Sequence, residues 1–143
     1  MNYPDSVAEV LRPNKKYNPD TLRALKRFRR SKAWRGDFQE KKAKFQSLHA
    51  ALCEVYGMST ELRFVNIGGG DSGSSHFILA RNRIVLEGRF SVVTYLHEFG
   101  HAKGMDERKA CIWSINLFKR IFPKSFERCE FQGHMVVNNN RRN

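Results

Sequence analysis

Cysteine is scarce in this chain of 143 residues. The three present, Cys53, Cys111 and Cys129, are odd in number and widely spaced, with no CxxC pair. That excludes a disulfide-stapled scaffold, a thiolate zinc ribbon and a dithiol redox motif, and it fits reduced thiols. Long apolar runs are missing too: eighteen such residues never follow one another, so no membrane-spanning helix is expected. The N-terminal segment MNYPDSVAEVLRPNKK lacks a basic stretch leading into an apolar one, so no secretory leader is expected and a cytoplasmic location is. No internal repeat is visible.

Acidic residues are also short: 14 against 26 Lys and Arg, for a formal net charge of +12. The excess leans toward the N-terminus, where residues 1–46 hold thirteen cations and five acids, or +8. Much of it falls in RALKRFRRSKAWR, through Arg23, Lys26, Arg27, Arg29, Arg30, Lys32 and Arg35. Such a cluster suits phosphate neutralisation and counterion release, which makes nucleic acid or a DNA-bound protein a candidate partner. The length fits one domain with its own core.

Periodicity supplies the elements. Residues 1–18, with Pro4 and Pro13, read as an arm. From Asp20 a basic helix runs through Leu22, Leu25 and Phe28 until Gly36 breaks it. Asp37 can cap a second helix whose stripe is Phe45, Leu48, Leu52 and Val55, ending at Gly57. His49 on it reads as structural. Glu61–Ile67 alternates as a strand, and Gly68–Ser75 reads as a loop. HFILA and RIVLE, about a turn at Arg81 and Asn82, read as an antiparallel hairpin closed by Gly88. Ser91 suits the N-cap of a helix reaching about Lys103, which Gly104 ends. A last, largely apolar helix spans about Asp106 to Ile121, with Pro123 as its stop. The ending NNNRRN has nothing to bury and is expected to be disordered.

The chemistry sits in five residues, His97-Glu98-Phe99-Gly100-His101. On a helix His97 and His101 lie one above the other, so they can share a metal ion while Glu98 stands beside it as general base. Chance gives such a motif in about one chain in a hundred of this composition, so its surroundings matter. Catalytic zinc usually has three protein ligands. Glu107, early in the next helix after a glycine turn, is the best third ligand, and Asp106 is its competitor. Glu107, Ala110, Cys111 and Ser114 share one face at i, i+3, i+4 and i+7. Apart from the glutamate they are small, and a face of small residues, with Gly100 opposite, permits close helix approach.

HEFGH followed by Glu107-Arg108-Lys109-Ala110 resembles the HExxH plus ExxA arrangement of zincin metallopeptidases, especially the ImmA/IrrE-like family, over roughly residues 40–122. The interval from His101 to Glu107 is shorter here, and Cys111 stands where many relatives carry an Asp that supports a metal-bound histidine. HEFGHAKGMDE also fits the metzincin pattern HExxHxxGxxH, with Glu107 for the third His and Met135 downstream; both alignments choose Glu107. The resemblance implies an α+β, zincin-like minimal metallopeptidase domain over residues 19–122, with a C-terminal tail at 123–143. It implies N-terminal helices, a small twisted sheet with a hairpin, the HExxH helix and a Glu-bearing helix, in that order. It further implies a Zn2+ cofactor, a polypeptide substrate added to a strand edge at HFILA or RIVLE, His76 lining that groove and His134 stabilising the transition state. The function expected is peptide-bond hydrolysis, acting on a nucleic-acid-associated protein. The alternative is a nucleic-acid-binding module whose zinc site is weak in catalysis or structural.

Overall fold

A computed structural model describes residues 6–65, 75–87, 90–132 and 135–138. The class is α+β: among the described residues there are five helices, a three-stranded sheet and a two-stranded antiparallel sheet. The chain divides into two units, one of residues 17–91 and one joining residues 1–16 to 92–143.

The first unit begins with α1 (Pro19–Arg30), where Pro19 opens the first turn and Asn18 Oδ1 accepts from the Asp20 N–H at 2.7 Å. Its buried side is Thr21, Ala24, Leu25 and Phe28, while Leu22 is only half-buried. The helix stops six residues before Gly36, the expected breaker. Ser31 closes it, donating from Oγ to Phe28 O at 2.6 Å, and Lys32 then turns to φ 54°. Lys32 and Arg35 therefore belong to a loop. Asp37 and Glu40 form a reciprocal capping box, each side chain accepting at 2.9 Å from the other's N–H, which starts α2 (Phe38–Tyr56). The two helices are joined by an edge-to-face pair, Phe28 on Phe45, and by a Thr21 to Tyr56 hydroxyl bond of 2.6 Å.

Strands β1 (Glu61–Val65), β2 (His76–Ile78) and β3 (Arg83–Glu87) form a sheet of order β1-β3-β2. The expected β2–β3 hairpin is present and antiparallel, but β1 runs parallel to β3. β2 is shorter than HFILA, because Leu79–Arg81 coil into a 3-10 turn ending on Asn82 at φ 49°. β3 is central, and its apolar run Ile84, Val85 and Leu86 is buried. His49 Nε2 donates to Thr60 O at 2.7 Å at the entry to β1, a structural role as expected.

In the second unit α3 (Val92–Ala102) and α4 (Glu107–Ile121) form a helical hairpin. Tyr95, Leu96, Phe99 and Leu117 are fully buried, each stabilising by about 1.5–3 kcal/mol, and Phe99 stacks on Trp113. The arm at residues 6–16 lies in this unit, with Val7 and Val10 buried. Asn116, a polar residue in an apolar helix, accepts from Arg12 N–H at 2.6 Å and donates to Val10 O at 2.8 Å. Glu9 pairs with Arg108 at 3.2 Å.

The segment after Ile121 holds elements not read from the sequence: α5 (Pro123–Glu127) and the antiparallel strands β4 (Cys129–Gln132) and β5 (Met135–Asn138). Pro123 stops α4 and also begins α5, since its fixed φ and missing N–H suit a first helical turn. Residues 68–74 of the loop expected at Gly68–Ser75, Gly88, His134 and the end of NNNRRN lie outside the described residues.

Candidate metal centre

Local rules alone bring α3 and α4 face to face. At the end of α3, Gly104 takes φ 99°, a conformation open to glycine, and donates to His101 O at 2.9 Å. Met105 N–H reaches back to Gly100 O at 3.0 Å. These paired bonds form a Schellman motif, which reverses the chain. Asp106 then caps α4, its carboxylate accepting from Lys109 N–H at 2.8 Å. Glu107 is therefore the first residue of α4.

The expected small-residue contact is present. A Cβ added to Gly100 would stand 3.3 Å from both Cα and Cβ of Ala110 and 3.4 Å from the Met105 sulfur. With glycine there, the backbones approach closely enough for side chains of both helices to meet.

Three of them do. His97 Nε2 lies 3.1 Å from Glu107 Oε1, His101 Nε2 lies 3.0 Å from the same oxygen, and the two nitrogens are 3.2 Å apart. Four ligands at zinc bond lengths of about 2.0–2.1 Å stand about 3.3 Å from one another, so the triangle has the size of one face of such a site. Protonation supports the same fit. His101 Nδ1 is 3.0 Å from Met105 O, and a carbonyl only accepts, so Nδ1 carries hydrogen and the Nε2 of the neutral ring carries a lone pair. The two Nε2 atoms and the carboxylate oxygen then converge, and an ion at their centre would serve all three contacts at once. The side chains of His97, His101 and Glu107 keep 21, 25 and 25% exposure, enough to leave the site open on one side.

Burial on its own would raise the Glu107 carboxyl. The imidazoles of His97 and His101 together outweigh it and hold the group below the usual carboxylate range. Asp106, the competitor, is exposed and engaged as the helix cap.

Cys111 is the fourth neighbour. Its sulfur is 3.8 Å from His97 Nδ1 and 3.7 Å from Glu107 Oε2, and a set of His97, Glu107 and Cys111 also gathers within 4.8 Å. The two sets compete for His97, since one imidazole offers one nitrogen to an ion, and the tighter set holds Nε2. Burial first, then the charge and hydrogen bond of Glu107, push the thiol up to about 12. It stays protonated and can donate to Glu107 Oε2 while its sulfur stands beside His97 Nδ1. Cys111 thus stands beside both His97 and Glu107.

Glu98 follows His97 on α3 and is half-buried. His76 belongs to the other unit, on β2, with Nδ1 3.6 Å from Glu87 Oε2. Of the basic cluster, Arg23, Lys26, Arg27, Arg29 and Arg30 are exposed on α1, and Lys32 and Arg35 on the loop that follows. The backbone carbonyl of Met105, which orients His101, was not read from the sequence; Gly104 was its signal, as a glycine one residue past a helix end.

No protein family, curated protein or solved structure matches this chain.

Proposed function

We propose that this protein is a zinc-dependent metallopeptidase of zincin type that hydrolyses peptide bonds. The observation that carries the reading is the convergence of His97 Nε2, His101 Nε2 and Glu107 Oε1 within 3.0–3.2 Å, with the His101 ring oriented by Met105 O. The order of elements agrees with it: two helices, a small sheet, the HExxH helix, then the Glu-bearing helix.

His97, His101 and Glu107 would hold the ion, leaving a position for water. When bound, zinc lowers the pKa of its water and polarises a scissile carbonyl. Glu98 accepts a proton from the attacking water and returns it to the leaving amine, acting as base and then as acid. The Met105 carbonyl keeps His101 in one tautomer, and Cys111 braces His97 and Glu107 from behind. The three cysteines are all free, which fits a cytoplasmic location. Among the described residues, no helix is long and apolar enough to cross a membrane.

The test has two stages. Protein purified without chelator should carry about one zinc per chain, and a metal-free protein that takes up no zinc at neutral pH defeats the site. Glu98→Gln should then retain zinc while losing cleavage of a quenched-fluorescence peptide library; undiminished cleavage removes Glu98 as the base.

A further inference from the structure

The seven cations between Arg23 and Arg35 have no acid among them in sequence. Arg23 pairs with Asp20, and Lys26, Arg27, Arg30, Lys32 and Arg35 form no ion pair among the described residues. On α1 the positions of Arg23, Lys26, Arg27 and Arg30 point away from the side buried through Thr21, Ala24, Leu25 and Phe28. From Arg23 to Arg30 this ridge runs about 10 Å along the helix. Favourable placement near a helix C-terminus explains one or two cations. It does not explain a ridge that continues onto a loop.

The loop adds a different chemistry. Trp34 is 57% exposed, between Lys32 and Arg35, although the neighbouring Ala33 is buried. The backbone that presents it is pinned: Lys44 Nζ donates to Lys32 O at 3.1 Å and Arg35 O at 3.3 Å, and Arg35 N–H donates to Lys32 O at 2.9 Å. Cations alone would keep this face soluble, and the indole adds to them a flat aromatic surface open to solvent. Between them α1 and α2 also form an open groove of about 460 Å³, lined by Ala24, Ala43 and Ala51 and by the charged Arg27, Glu40 and Lys44.

We infer that the α1–α2 hairpin binds single-stranded nucleic acid, with the phosphodiester backbone along the cationic ridge and a base stacked on Trp34. Cations follow the backbone and a flat aromatic face accepts any base, provided the base is unpaired. The groove offers room for a second, unstacked base. A duplex keeps its bases stacked inside and would leave Trp34 without a function, and an acidic peptide would match the charge but not the indole. The inference does not depend on the metal centre, which lies in the other unit.

The test is titration of the full-length protein with oligo(dT) and oligo(rU) of about fifteen nucleotides and with a duplex of equal length. The chain has two tryptophans, and Trp113 is only 5% exposed, so stacking is read as quenching of Trp34. Expected are quenching by either single strand, weaker duplex binding, and a log–log salt slope of about −2 to −3, from three or four phosphates at about −0.7 each. Trp34→Ala should lose the quench and weaken binding about tenfold, while Trp34→Phe keeps affinity. Arg27→Gln with Arg30→Gln should flatten the salt slope, and circular dichroism should match wild type for every variant. Equal affinity for duplex or for polyglutamate with unchanged fluorescence, a flat salt response, or an unaffected Trp34→Ala variant would each overturn the inference.

Discussion

Replacing Asn116 with Leu isolates the clasp that holds the N-terminal arm. Leucine matches asparagine in approximate size and favours helix, so α4 itself should persist. What disappears are the two bonds across more than a hundred residues, from Arg12 N–H at 2.6 Å and to Val10 O at 2.8 Å. Stranding a buried backbone group costs about 1–3 kcal/mol, toward the low end at Arg12, whose exposed position admits water. The sum is about 2–4 kcal/mol. Against it stand Val7 and Val10, 3% and 0% exposed, whose burial stabilises the docked arm by about 3–6 kcal/mol together. The apolar contribution is the larger. The arm of Asn116→Leu should therefore stay docked most of the time and open more often, a loss of about 2 kcal/mol raising the open fraction about thirtyfold. Trypsin reports this directly, because Lys15 and Lys16 lie in the arm, and mass spectrometry can follow cleavage after them. Cleavage within about twofold of wild type, the change expected of an inert surface substitution, would refute the clasp.

Two further outcomes follow from the site and the core. Glu107→Gln removes the charged donor, so zinc affinity measured by chelator competition should fall by more than about a hundredfold, beyond what losing a supporting partner costs. Asp106→Ala should cost about 1 kcal/mol of stability through its helix cap and leave zinc affinity unchanged; the reverse pattern would exchange their roles. At His49, burial lowers the imidazole pKa more than the Thr60 carbonyl raises it. The unfolded chain then binds the proton more tightly, so this contribution is present above about pH 6.5 and lost as pH falls through the lower folded value. His49→Gln, whose amide can still donate to Thr60, should show a shallower acid-side decline in thermal midpoint; an identical decline would remove His49 as a source.

The bounds of α2, α3 and α4 were legible because their causes are local: Asp37, Gly57, Gly104 and Pro123 are signals within one turn of what they end or begin. Those same local rules gave the neighbourhood of His97, His101 and Glu107. Parallel pairing of β1 with β3 was not legible, since strand direction depends on packing and not on alternation. Docking of the arm was not legible, because its anchor, Asn116, lies more than a hundred residues away in the chain. The last strands, β4 and β5, have a weaker signal. CEFQ and MVVN are short runs about a glycine, a hairpin signal outweighed by the polar composition around them.

The three converging donors lie within eleven consecutive residues, His97 to Glu107. Loop-closure entropy grows with the logarithm of the chain closed, so gathering them costs roughly 2 kcal/mol less than if about a hundred residues intervened. In folding terms the centre is a short-range contact, assembled by one helix ending and the next beginning. An ion there would stitch consecutive turns of chain, and its grip would resist local fraying at Gly104 before it resisted loss of the distant arm.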